Sequence, residues 1–299
     1  MSAEIRIDAL LPAEMAKRAE YVGVRKAETA ALTLFALAVL AGGFIALGAI
    51  FSTTIVAGGV AIKDAAGEVA FSTGFPYGFN RLLAGLVFCL GLILVVVGGA
   101  ELFTGNNLIV MAWASGKVST SALLRNWAIV YLGNFVGSIG TAGLLFFSQQ
   151  YLNGGGTVGL TALNIAKSKV ELGFTQALVL GVLCNALVCM AVWMTFSARS
   201  TIDKIAAIIF PVTGFVAAGF EHSIANMYFV PVALFIKNYA GESFWQMIGK
   251  TSADYASLTW RNFLINNLIP VTIGNIIGGA VLVAALYWMV YLRPEKENS

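Results

Sequence analysis

The chain has a single histidine, His222, in the run Gly219-Phe220-Glu221-His222-Ser223-Ile224-Ala225-Asn226. One histidine excludes any site that needs a histidine pair. His222 and Ser223 are neighbours in sequence, a poor arrangement for a nucleophile that must face its base, so no catalytic group is expected. A second run, Gly98-Gly99-Ala100-Glu101-Leu102-Phe103-Thr104-Gly105-Asn106, shares the pattern Gly-x-Glu-x-x-x-x-Asn, with Gly99, Glu101 and Asn106 matching Gly219, Glu221 and Asn226. Carboxylates at equivalent positions of two copies read as loop support: Glu101 and Glu221 are expected to cap their loops or bind backbone N–H groups. His222 has Leu102 as its counterpart. Symmetry that fails at one titratable position points to function there, against the alternative of a satisfied buried histidine. An ordinary imidazole titrates near pH 6.5, so it can exchange a proton with a small weak acid around neutrality.

These residues must be positioned by membrane-spanning helices. Of 299 residues, 59% are hydrophobic and 11% charged, where a soluble domain carries about 25% charged residues. That excludes a soluble enzyme, a nucleic-acid binder and a disordered tail. The net charge of +3 is too small to imply a polyanionic macromolecule as partner. Cys89, Cys184 and Cys189 lie in apolar runs and read as packing residues; neither a metal nor a cofactor is expected. The first 30 residues hold ten charges, among them Glu4, Arg6, Glu14, Lys17, Arg18, Arg25 and Lys26, and no apolar run, so no cleavable signal peptide is expected.

A membrane crossing takes about 20 apolar residues. Residues 31–54, 123–148, 173–197 and 264–292 each fit one crossing. Residues 82–113 and 205–236 each run 32 residues, and the two polar runs described above interrupt them. Each reads as one broken span made of two half-helices, giving six spans in all. Spans 3 and 6 share Gly-Asn-x-x-Gly, as Gly133-Asn134/Gly137 and Gly274-Asn275/Gly278. The glycines permit close helix packing; the amides either fix a broken loop or face a solute. The fold expected is an all-α membrane protein of two inverted three-span repeats, with spans 2 and 5 broken. Such paired breaks near the midplane are the pattern of a solute pathway.

With six spans, the side holding both termini carries eleven lysines and arginines and the other side seven, so both termini are expected in the cytoplasm. Residues 1–30 form a cytoplasmic N-terminal segment, 31–293 a single six-span domain and 294–299 a tail. Ile7, Leu10, Leu11, Met15, Ala19 and Val22 recur near a 3.6 period, which predicts an amphipathic helix on the membrane face or against the pathway's mouth.

Around the two breaks the chain resembles the formate/nitrite transporter family, and within it the formate channels. The resemblance rests on residues 100–104, 219–227 and 267–279, supported by 10–17 and 88–92, and covers essentially the whole chain. It implies an aquaporin-like protomer in a homopentamer in the lipid of the inner membrane, each protomer with its own pore for formate and related small monovalent anions. Carried over by position, His222 is the central pore histidine and Thr104 bonds substrate or that histidine. Asn275 adds a polar contact, and Lys169 supplies electrostatics near the entrance. Phe88, Leu92, Leu102, Val188 and Phe215 form apolar constrictions, and Glu101, Glu221 and Asn226 support the loops. Gly105 follows Thr104 where other members have Ser. Nitrite or hydrosulfide on the same scaffold is the first alternative. A neutral-solute pore is the second, although neither break contains Asn-Pro-Ala. The resemblance leaves open passive flux or proton linkage through His222.

Overall fold

In lipid the backbone must satisfy its own hydrogen bonds, so apolar runs of this length are stable only as helices. The computed structural model describes residues 9–57, 61–63, 69–72 and 74–293. In chain order come α1 (Pro12–Glu28), α2 (Ala31–Val56), α3 (Tyr77–Gly98), α4 (Val110–Ala114), α5 (Thr120–Phe147), α6 (Thr157–Val170) and α7 (Phe174–Thr195). They are followed by α8 (Thr201–Ala218), α9 (Ser223–Tyr239), α10 (Glu242–Ile248) and α11 (Asn262–Tyr291). Among the described residues, α2, α3, α5, α7, α8 and α11 are the six helices long and apolar enough to cross a membrane. A small antiparallel ribbon, β1 (Ala61–Lys63) with β2 (Val69–Ser72), lies between α2 and α3 and was not expected. The tail at 294–299 and Ile7 fall outside the described residues.

Both long apolar runs are interrupted where the polar runs fall, but not into equal halves. α3 begins at Tyr77 and has 22 residues, about 33 Å of helix. After its break comes only a 3₁₀ stretch, Gly105–Ile109, and the five-residue α4, which ends at a turn with Gly116 at φ +72. The second run instead splits into α8, 18 residues, and α9, 17 residues. α3 and α8 stop for the same reason. Gly99 and Gly219 take φ +74 and +76, a left-handed conformation that glycine adopts without Cβ strain. The next N–H turns back to the helix, Ala100 to Val95 O at 2.9 Å and Phe220 to Phe215 O at 3.0 Å.

Small residues set the packing. A Cβ on Gly137 would overlap the carbonyl of Val39 on α2, and one on Gly278 would overlap that of Val182 on α7. The α2–α5 and α7–α11 contacts are therefore matching backbone-to-backbone approaches, one in each repeat. α1 covers its apolar stripe with protein. Met15, Ala16, Ala19 and Ala27 pack with Leu108, Ile109 and Ala112 beyond the first break. α11 is not a uniform α-helix: Asn262–Leu268 and Ile277–Ala285 are π-helical, whereas its counterpart α5 is regular.

Candidate functional site

Each break is built by the same set of bonds. In the first, Asn134 Oδ1 accepts Phe103 N–H (2.9 Å), while its Nδ2 donates to Ala38 O (2.7 Å) and Glu101 O (2.9 Å). In the second, Asn275 Oδ1 accepts Ser223 N–H (2.9 Å), and its Nδ2 donates to Gly181 O (2.8 Å) and Glu221 O (3.0 Å). Both amides therefore hold unwound backbone in place. Asn275 has spent both of its donor hydrogens on carbonyls.

The glutamates do not meet backbone N–H groups through their carboxylates as expected. Glu101 accepts Lys26 Nζ (2.8 Å) and Asn106 Nδ2 (2.7 Å); Glu221 accepts Lys169 Nζ (2.7 Å) and Asn226 Nδ2 (2.6 Å). The asparagines continue to Asn126 (2.9 Å) and Asn267 (2.8 Å), which donate in turn to the backbone carbonyls of Lys26 and Lys169. A buried carboxylate is tolerable only when paired and hydrogen-bonded in this way. The matching bonds pair α1 with α6, so each repeat includes the amphipathic helix that precedes its spans. Lys26, Asn126 and Asn267 had not been picked out. Asn126 and Asn267 carried a usable signal, since each lies eight residues before the asparagine of Gly-Asn-x-x-Gly. Two details differ between the breaks: Lys26 also reaches Asn106 Oδ1 (3.0 Å), whereas Asn226 Oδ1 is buried without a partner, and Asn267 Nδ2 also reaches Glu221 (3.2 Å).

His222 lies at the N-cap of α9, where its Nδ1 accepts Ala225 N–H at 3.1 Å. A backbone N–H can only donate, so the ring proton sits on Nε2. Nε2 is 3.1 Å from Thr104 Oγ1, so Thr104 accepts that proton and its own hydroxyl hydrogen is left to donate elsewhere. Phe215 stacks against the ring, with centroids 5.9 Å apart and planes at 16°, and Phe88 meets Phe215 edge-on. Thr104 is held from behind, its carbonyl accepting Asn185 Nδ2 at 3.3 Å.

Two cavities approach this group from opposite sides. A cavity of about 590 Å³ lies beside α1 and ends at Leu92 and Leu102, with Glu101 and Gly105 in its wall. A smaller one, about 180 Å³, is lined by Phe88, Phe215, Glu221 and His222 and by the cations Arg81 and Lys169. Arg81 also donates to the Val216 and Ala217 carbonyls at the end of α8. Val188 and Thr104 line neither cavity and are buried between them. The expected apolar residues are thus brought together with the histidine: Leu92 and Leu102 on one side, Phe88 and Phe215 on the other, and Val188 between.

Residues 13–289 match the family model described as formate/nitrite transporter. The chain belongs to the formate/nitrite transporter family. Among relatives in this family, it is 45% identical over 299 residues to the formate channel FocA of Escherichia coli (strain K12), covering all of both chains. It is 40% identical over 275 residues to the formate channel FocA of Haemophilus influenzae, covering 92% of each. Among solved structures it resembles a pentameric formate channel with formate bound, with TM-score 0.79 and 49% identity, covering 88% of this chain and 98% of that one. An ion channel of the same family matches with TM-score 0.74 at 26% identity, covering 94% and 99%.

Proposed function

We propose that this protein is a transmembrane transporter of formate and related small monovalent anions, and not an enzyme. The observation that carries the reading is a polar pair, His222 and Thr104, enclosed by apolar side chains between two cavities, in a chain 45% identical to a formate channel along its whole length. A hydrated cation would lose its water in the apolar layer and find no acceptor of adequate charge. A small carboxylate would find the Thr104 hydroxyl hydrogen, oriented because His222 Nε2 occupies one lone pair of the same oxygen.

Arg81 and Lys169 in the smaller cavity favour anions there, which supports an electrostatic role for Lys169. Asn275 serves as a positioning residue, because its amide is committed to backbone. A second proton on His222 must go to Nδ1, the atom that holds Ala225 N–H. Proton uptake and loss of the α9 cap would thus be one event, and this is the form that proton linkage through His222 would take. By analogy with the pentameric relative, the functional unit is a homopentamer. The bias of basic residues supports an inner-membrane protein with both termini in the cytoplasm.

The test is flux into liposomes containing the purified protein. Formate is expected to equilibrate far faster than in empty liposomes, with water no faster. Water flux without formate flux would refute the reading; faster nitrite or hydrosulfide than formate would move the assignment to another anion on the same scaffold.

A further inference from the structure

The larger cavity is oversized and overcharged for a single small anion. Four cations line it, Arg18, Arg25, Lys26 and Lys204, against one carboxylate, Glu101, which Lys26 already engages. That leaves an excess of three positive charges. The side chains of Arg18 and Lys204 meet no hydrogen-bond or ion-pair partner among the described residues. Arg25 reaches Tyr21 on its own helix at 3.4 Å. The smaller cavity differs on both counts. Arg81 and Lys169 face Glu221 there, an excess of one, in about 180 Å³. Sites for small organic ligands run from about 300 to 1,000 Å³, a range that includes 590 Å³ and excludes 180 Å³.

Concentrated like charge in a concave wall of protein focuses the field on an oppositely charged ligand. A monovalent anion would leave most of the excess unbalanced; an anion with two or three charges would match it. We propose that the larger cavity is a binding site for a small polyvalent oxyanion, one bearing two or more carboxylate or phosphate groups. The occupant cannot pass Leu92 and Leu102, because several charges would have to shed water together in that apolar layer. It therefore plugs the pathway from the α1 side. The plugging step rests on the transport reading above, whereas binding does not.

Calorimetric titration of the purified protein in detergent separates the two. The probes are citrate, pyrophosphate and formate, at ionic strength held constant with potassium chloride. Citrate and pyrophosphate are expected to bind saturably and more tightly than formate. The double variant Arg25→Gln/Lys204→Gln should weaken citrate on the order of tenfold, and the control Lys250→Gln/Arg261→Gln, which removes two cations elsewhere, should not. Citrate should then slow formate flux in liposomes for the parent and much less for Arg25→Gln/Lys204→Gln. Absence of saturable citrate binding, or equal weakening in both double variants, would overturn the site. Binding without slowed flux would overturn the plug. Citrate binding in a protein that moves no formate would instead refute the transport reading and leave the site standing. Preference for pyrophosphate over citrate would identify the phosphate form of the ligand.

Discussion

The pair Lys169–Glu221 ties α6 to the second break at 2.7 Å, with side-chain exposures of 13% and 5%. Replacing Lys169 by Met leaves Glu221 in place, still accepting Asn226 and Asn267, but with its charge uncompensated in a site water barely reaches. Breaking a buried pair in this way costs about 3–5 kcal/mol. The equivalent pair Lys26–Glu101 is more exposed, 28% and 10%, so Lys26→Met should cost less, about 1–3 kcal/mol after allowance for solvent screening. Thermal unfolding in detergent should then show Lys169→Met melting roughly 6–20 °C below the parent. Lys169→Met/Glu221→Gln should recover most of that loss, to within about 2 kcal/mol of the parent, since no lone charge remains and Gln can still bond Asn226. A double variant as unstable as the two single losses added together would refute the pairing argument. So would a Lys26→Met loss larger than that of Lys169→Met.

Other consequences are smaller and separately measurable. Thr104→Val keeps the shape but removes the oxygen that accepts His222 Nε2–H; formate flux should fall by an order of magnitude or more while the protein folds, with about 1–3 kcal/mol lost for the orphaned N–H. Gly278→Ala places a methyl against the Val182 carbonyl and should lower the yield of folded protein, whereas Gly105→Ala meets Val192 at an ordinary 3.5 Å and should fold normally; size-exclusion profiles distinguish the two. Asp254, in the loop before α11, accepts Thr251 N–H (2.8 Å) and its hydroxyl (3.1 Å), which hold its carboxyl below the usual range, helped by the Lys250 and Lys167 charges. Because the folded value is the lower one, its stabilising contribution is complete above about pH 4 and lost as pH falls through the folded value. Thr251→Val should move the Asp254 titration upward, read by carboxyl-carbon NMR shifts.

The spans were legible because nothing but helix satisfies an apolar backbone in lipid, and the breaks because glycine beside glutamate is costly there. His222 and Thr104 followed from the breaks and the family resemblance. Other features left no local trace. Lys26 and Lys169 lie 75 and 52 residues before their glutamates, so no spacing links them; only the fold does. The partners of Glu101 and Glu221 are hidden for the same reason: a lysine partner is invisible until α1 and α6 are docked. The unequal halves of the breaks depend on where Gly116 ends α4, which hydropathy does not register. The π-helical stretches of α11 have no counterpart in α5, although both helices carry Gly-Asn-x-x-Gly.

The most direct test of the pathway is formate flux into liposomes from pH 5 to 8, compared between the parent protein and His222→Ala. If His222 and Thr104 are where the anion is met, the parent should show a pH-dependent rate and His222→Ala a rate that no longer follows pH in the same way. An identical pH profile in His222→Ala, at the parent's rate, would contradict the placement of the pathway between the two cavities at His222.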